Sequence, residues 1–207
     1  MKERLLKNIN TYIFDMDGTL YELDGKSGGF KGSTLEQTVK RNAVEFVMKT
    51  EGLSQDGALE ILNLGLLNTI GLSIFFSERY QITRKDYFNQ VWDINPGGII
   101  NNFEVPVKVI KEITRLEKRL ILLTSSPKIW QEKVIRYLGL DNVFESIYTG
   151  EEFGKKNEIF KLLSEKYIPS EIISIGDQKK TDIDPALEYG IKGILIKNPN
   201  DLEKLNI

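Results

Sequence analysis

The apolar residues of this chain fall into two rhythms. Short, mainly apolar stretches rich in strand formers cover 10–15, 120–124 and 171–176, with further ones at 145–149 and 193–197. Between them, apolar positions recur at helical spacing and predict helices over 106–118, 127–138, 157–167 and 182–189. Pro106 at a helix start, and Gly139 and Gly190 just past helix ends, set the boundaries. Strand–helix alternation of this kind predicts an α/β fold, a three-layer Rossmann-like parallel sheet wrapped by helices. A sheet covered on both faces needs strands that are mainly apolar, as 10–15, 120–124 and 171–176 are.

The stretch between the first two long strands follows a different rule, since nothing in 30–95 alternates like a strand. A glycine-rich loop, Gly25-Lys-Ser-Gly-Gly-Phe-Lys-Gly32, is a candidate hinge. A helix then opens on a capping box from Ser33 to Glu36 and carries Leu35, Val39, Ala43, Phe46 and Val47 on one face before Gly52 ends it. A second helical stretch covers 54–70, and a third opens with Thr83-Arg-Lys-Asp86 and presents Tyr87, Phe88 and Val91. The expected organisation is therefore a core made from 1–20 and 104–207, with an all-helical insertion at 21–103.

The chemistry gathers where the apolar runs stop. The first run ends in Asp15-Met-Asp17-Gly18-Thr19-Leu20. Open α/β sheets place ligands at the carboxyl ends of their strands, so both carboxylates are expected in one crevice. Two buried acids so close repel, and a hard cation such as Mg²⁺ would compensate them. A carboxylate there can serve as a nucleophile, and a second carboxyl, kept protonated by its charged neighbour, as a proton donor. The run at 120–124 ends in Thr124-Ser125-Ser126-Pro127. Thr124 can hydrogen-bond a phosphoryl oxygen without adding charge, while Ser126 and Pro127 also suit the start of a helix. Gly154-Lys155-Lys156-Asn157-Glu158 opens another helix, where an ammonium would offset a phosphate and the nucleophile. Either lysine fits that task. The run at 171–176 ends in Gly176-Asp177, with Asp182 five residues beyond Asp177. Asp177 would meet the same cation from a neighbouring strand, and Asp182 would orient the loop or a metal-bound water. Asp184 reads as an acid favoured at a helix start.

These four segments, in this order across nearly the whole chain, resemble the motifs of the haloacid dehalogenase superfamily, most of whose members are phosphatases. The resemblance implies Asp15 as nucleophile and Asp17 as general acid and base. It implies Thr124 and Lys156 on the phosphoryl group, with Gly18, Thr19 and Ser125 lining its site. It also implies Mg²⁺ held by Asp15, the Asp17 backbone carbonyl and Asp177, with Asp182 behind them. Lys156 fits the family form in which Gly-Glu-Ile follows the lysine, and Lys155 the form with Pro. Ser125 stands where the family often has Asn. A helical insertion between the first two motifs is similar to one subgroup's cap, and Asp-Gly-Thr-Leu-Tyr with Asp86-Tyr87-Phe88 resembles its pyrimidine 5′-nucleotidase-like branch. Lys26, Lys31, Arg41, Tyr80, Arg84 and Trp92 are the candidate cap contacts to substrate.

Composition narrows the alternatives. The 207 residues include no cysteine and no histidine, which excludes thiolate nucleophiles, disulfides, Ser-His-Asp catalysis and His-bound metals. The net charge of −2 gives no pull towards nucleic acid or an anionic membrane. The polar start Met1-Lys-Glu-Arg-Leu-Leu-Lys is unlike a signal peptide, and no apolar run approaches about 18 residues, so the chain reads as soluble and cytoplasmic, a monomer or homodimer. Gly25-Lys26-Ser27 lacks the earlier glycine of a phosphate-binding loop, because position 20 is Leu. Dehalogenases of the superfamily lack an acid at the place of Asp17. The reading is an Mg²⁺-dependent phosphohydrolase for a small phosphomonoester, a nucleotide or sugar phosphate. A phosphomutase of the same fold and a non-catalytic phospho-acceptor are the alternatives.

Overall fold

The computed structural model describes residues 8–68 and 71–205. The polar start at 1–7 and the last two residues of the expected helix 54–70 lie outside that range. Five strands form one parallel sheet in the order β5-β4-β1-β6-β7, from β1 (Thr11–Phe14), β4 (Arg119–Leu123), β5 (Ser146–Tyr148), β6 (Ile172–Gly176) and β7 (Lys192–Leu195). Helices α5 (Glu104–Arg115), α6 (Lys128–Tyr137), α7 (Lys156–Lys166) and the short α8 (Asp184–Glu188) make the crossovers.

The period of two along the strands divides the core. Tyr12, Phe14, Leu120, Leu122, Ile173 and Ile175 join a large cluster with Ile110 and Ile113 of α5 and Trp130 and Val134 of α6. Ile13, Ile121, Leu123 and Ile172 turn the other way, onto Ile159, Phe160 and Leu163 of α7 and Ala186 of α8. Each face of the sheet is thus covered by helices, and the three-layer expectation holds.

Between β1 and α5 the chain builds α1 (Thr34–Glu51), α2 (Gln55–Leu67), α3 (Leu72–Tyr80) and α4 (Arg84–Val91). Ser33 caps α1 by accepting from the Glu36 amide, and Gly52 ends it at φ 68°. Thr83 and Asp86 complete the capping box of α4. Two features differ from the sequence expectation. Helix α3 falls between the two expected stretches, where the sequence pattern assigns no helix. It begins at Gly71 with no side-chain cap, and its Ile-Phe-Phe run has no polar face to give it a helical period. The insertion also carries a two-residue antiparallel ribbon, β2 (Glu22–Leu23) on β3 (Ile100–Asn101), which ties its entry to its exit. The glycine-rich loop closes on itself, with Lys26 N donating to Lys31 O at 2.9 Å. Phe76 and Tyr87 of the insertion belong to the same apolar cluster as one face of the sheet.

Candidate active site

Three neighbouring strands, β4, β1 and β6, deliver Thr124, Asp15 and Asp177 to one edge of the sheet. The ladder continues past β1, where Asp15 N donates to Ile175 O at 3.0 Å, so Asp15 keeps strand geometry and points at the carboxyl end of β6. Asp15 is only 7% exposed.

Lys156, at the first turn of α7, reaches across to this edge. Its ammonium donates to Asp15 Oδ1 at 2.6 Å and to Asp182 Oδ1 at 2.7 Å, all three groups being buried. Burial works against the charge of Lys156, but the two carboxylates outweigh it and raise the ammonium above its ordinary range. Lys155 is exposed, and its amide is bound by Glu158 at 3.2 Å. Of the two lysines, geometry places Lys156 at the site. Thr19 adds a hydroxyl to Asp15 Oδ2 at 3.3 Å.

Asp182 sits on a π-helical turn, Lys179–Ile183, that precedes α8 and displaces the helix start expected at 182. Its carboxylate takes the Gln178 amide at 2.9 Å and the Thr181 hydroxyl at 3.1 Å, and so shapes the loop that follows β6. Asp184, first in α8, pairs at the surface with Lys179 at 2.8 Å.

Carboxylate oxygens of Asp15, Asp177 and Asp182 lie within 4.8 Å of one another. One ammonium answers three acids, which leaves an excess of negative charge. Burial first, then the neighbouring acids, lift Asp15 well above the usual carboxylate range despite Lys156. The same causes push Asp177 up to about 6. Asp177 Oδ1 is buried with no hydrogen-bond partner. Backbone without side chains encloses this centre. A Cβ on Gly18, at φ +82°, would lie 2.7 Å from Asp177 Oδ2, and one on Gly176 would lie 2.3 Å from Asp182 Oδ2. An orphaned oxygen among excess carboxylates, cradled by glycine, suits a hard divalent cation with oxygen ligands.

The side chain of Asp17 stands outside that group of three carboxylates, on the side of Thr124. Hydroxyl and N–H donors surround it instead. Asp17 Oδ1 accepts from the Tyr21 hydroxyl and from Trp130 Nε1 at 3.1 Å, and Oδ2 from Ser126 Oγ at 2.6 Å and Thr124 Oγ1 at 3.5 Å. Ser126 does not cap α6 as expected, because Pro127 takes the cap position and leaves Ser126 one residue too early; its hydroxyl donates to the Asp17 carboxylate. The Lys128 amide at the helix start goes to Glu151 at 2.9 Å. Tyr21 and Trp130 were not legible as site residues, since both read as core aromatics, and both are 0% exposed. The spacing of Ser126 and Trp130, four apart, was the available signal.

Among the remaining candidates, Thr124 is buried and accepts the Ser126 amide at 3.1 Å, whereas Ser125 is exposed beside it. Arg84 bonds Gly150 O at 2.9 Å, tying the insertion to the loop packed on Ser125. Trp92 stacks on Phe30 with centroids 5.7 Å apart. Tyr80 binds Glu51 at 2.7 Å, and Arg41 pairs within its own helix with Glu45. Lys26 and Lys31 are exposed.

Comparison with known proteins gives the family and the fold. The sequence pattern described as haloacid dehalogenase-like hydrolase matches residues 12–196. The chain belongs to that family. It is therefore an enzyme of the hydrolase class. No curated protein sequence matches it significantly. Among solved structures, the HAD phosphatase from Thermococcus onnurineus superposes with a TM-score of 0.65 at 16% identity, covering 95% of this chain and 97% of that one. A predicted phosphoglycolate phosphatase from Haemophilus somnus 129PT gives 0.62 at 15% identity, covering 98% and 100%. YfnB from Bacillus subtilis, a magnesium-bound structure, gives 0.56 at 20% identity, covering 97% and 100%. At these identities the likeness is one of fold. The narrower resemblance to the pyrimidine 5′-nucleotidase-like branch gains no support from these matches. Among the described residues, no helix is long and apolar enough to cross a membrane.

Proposed function

We propose that this chain is a Mg²⁺-dependent phosphohydrolase that cleaves a small phosphomonoester, of the nucleotide or sugar phosphate class, through an aspartyl phosphate on Asp15. The observation that carries the reading is the Lys156 ammonium gripping a buried Asp15 at a strand end, beside the unpartnered oxygen of Asp177. A merely structural ion pair would not need a second and a third acid around it.

Asp15 and Asp177, with the backbone carbonyl of Asp17, are the groups that would hold Mg²⁺, and Asp182 supports them from behind. When bound, the ion supplies positive charge against the phosphoryl oxygens and the two acids. Asp15 attacks phosphorus with the oxygen not engaged by Lys156, and the bond to the leaving oxygen breaks. Lys156 and Thr124 stabilise the charge spread over the transferring group, with Gly18, Thr19 and Ser125 lining its place. Asp17 gives its proton to the departing alcohol. Water then attacks the aspartyl phosphate, Asp17 takes a proton from it, and phosphate leaves with Asp15 restored. The helical insertion, 21–103, closes over the core, 1–20 and 104–207, as a cap that excludes bulk water.

The test is phosphate release from a generic aryl phosphate with Mg²⁺, with EDTA, and in the Asp15→Asn variant. Release that needs Mg²⁺ and is lost in a folded Asp15→Asn protein is the expected result. Near-normal release by the variant would refute the scheme.

A further inference from the structure

The hydrogen bonds around Asp17 have a direction, and the direction can be worked out from the donors. Trp130 Nε1 carries a hydrogen and no lone pair, so it can only donate. It lies 3.1 Å from Asp17 Oδ1 and 3.1 Å from the Tyr21 hydroxyl oxygen, and serves both. The Tyr21 oxygen, accepting from Trp130, has its own hydrogen left to place. Tyr21 is 0% exposed, so no solvent takes that hydrogen, and the acceptor within reach is Asp17 Oδ1. Two hydrogens therefore point at Oδ1. A proton on Oδ1 would collide with them and orphan a buried donor.

The other oxygen is under no such constraint. Oδ2 faces the hydroxyls of Ser126 at 2.6 Å and Thr124 at 3.5 Å. A hydroxyl rotor can donate to an ionised Oδ2 or accept from a protonated one, so this side tolerates both states of Asp17. It is also the side of Thr124, where the phosphoryl group is expected.

We infer that Tyr21 and Trp130 are positioning residues that commit Oδ2 of Asp17 to the proton exchanged with the leaving group and with water. The inference rests on the phosphohydrolase reading above and deepens it. In the first step the Asp15–phosphorus bond forms, the phosphorus–oxygen bond to the leaving group breaks, and the Oδ2 proton passes to that oxygen. In the second, water loses a proton to Oδ2 as the Asp15–phosphorus bond is cleaved. Without the Tyr21 hydroxyl or the Trp130 N–H, the proton can settle on Oδ1, on the far side from the reacting atoms.

The experiment compares kcat/KM for phenyl phosphate, whose leaving oxygen needs a proton, with that for dinitrophenyl phosphate, whose leaving oxygen does not. kcat/KM reports the step in which the leaving group departs. Tyr21→Phe deletes one oxygen, and Trp130→Phe deletes the N–H. Each should slow phenyl phosphate about tenfold or more beyond any loss on dinitrophenyl phosphate, a fraction of what general acid catalysis supplies. Asp17→Asn should widen the same ratio at least as far. A general loosening of the fold would slow both substrates alike. Equal losses on both substrates, or none, in a folded Tyr21→Phe protein would overturn the inference while Asp17→Asn still shows the discrimination. If Asp17→Asn itself shows none, Asp17 is not the acid, and the inference falls with that reading. Should Trp130→Phe unfold, Tyr21→Phe decides alone.

Discussion

Replacing Lys156 by Met isolates what the ammonium does for the fold. Its side chain is 6% exposed, those of Asp15 and Asp182 are 8% and 2% exposed, and it touches both. Removing one partner of a buried ion pair costs about 3–5 kcal/mol because the other charge is left uncompensated. Here two carboxylates lose the same cation and then face each other. The cost is highest where both are ionised and shrinks once either takes a proton. Burial, followed by the effects of the neighbouring acids, already lifts Asp15 well above the usual carboxylate range, with Lys156 opposing the rise. Without Lys156 the rise is larger. An acid whose folded pKa lies above its unfolded one contributes stability at low pH that is lost as pH climbs. The deficit of Lys156→Met should therefore grow with pH. We expect about 4 kcal/mol at about pH 8 and about 1 kcal/mol near pH 5, without metal. For a chain of this size 1 kcal/mol corresponds to about 2–4 °C in melting temperature, so the loss near pH 8 is roughly 8–16 °C. Urea unfolding of both proteins in EDTA at three pH values measures it. A deficit below about 1 kcal/mol at the higher pH, or one unchanged between the two, would refute the reasoning.

Other consequences can be checked separately. Metal-free protein should lose stability as pH rises from the ordinary aspartate range through about 6, because burial raises Asp177 to that value, and Mg²⁺ should flatten this dependence in thermal melts. Gly18→Ala places a Cβ 2.7 Å from Asp177 Oδ2 at a φ that side chains disfavour, so Mg²⁺ affinity measured by calorimetry should fall sharply in a protein that still folds. Asp17→Asn should slow both half-reactions and, under quench conditions, leave phosphorylated Asp15 detectable by mass spectrometry; turnover at the unaltered rate would remove Asp17 from the mechanism.

Much of this fold was legible because burial on both faces forces a strand to be mainly apolar, and each such run then stops at a polar residue of the candidate site. Phe14 precedes Asp15, Leu123 precedes Thr124, and Gly176 precedes Asp177. What stayed hidden depends on pairing across long sequence distances. Nothing in 156 or 182 alone says that one ammonium bridges Asp15 and Asp182. Trp130 occupies a core position of α6 and was indistinguishable from packing until its N–H met Asp17. Helix α3 was missed because its apolar run lacks the polar face that periodicity detects, and β2 and β3 are too short to alternate.

The placement of the acids also explains why the scaffold is built from its central strands outward. β1 lies between β4 and β6, pairing Phe14 with Leu122 on one side and with Ile175 on the other. That double register fixes the height at which Asp15 leaves the sheet relative to Thr124 and Asp177. A slip of one residue in β1 would turn Tyr12 and Phe14 from their own apolar cluster into the position of Ile13 on the opposite face. It would also carry Asp15 away from Lys156. The core thus resists the same displacement that would dismantle the site. Stability held in the apolar layers is what permits a cluster of mutually repelling carboxylates at the sheet edge, and the excess charge of that cluster is what suits the edge to a hard cation.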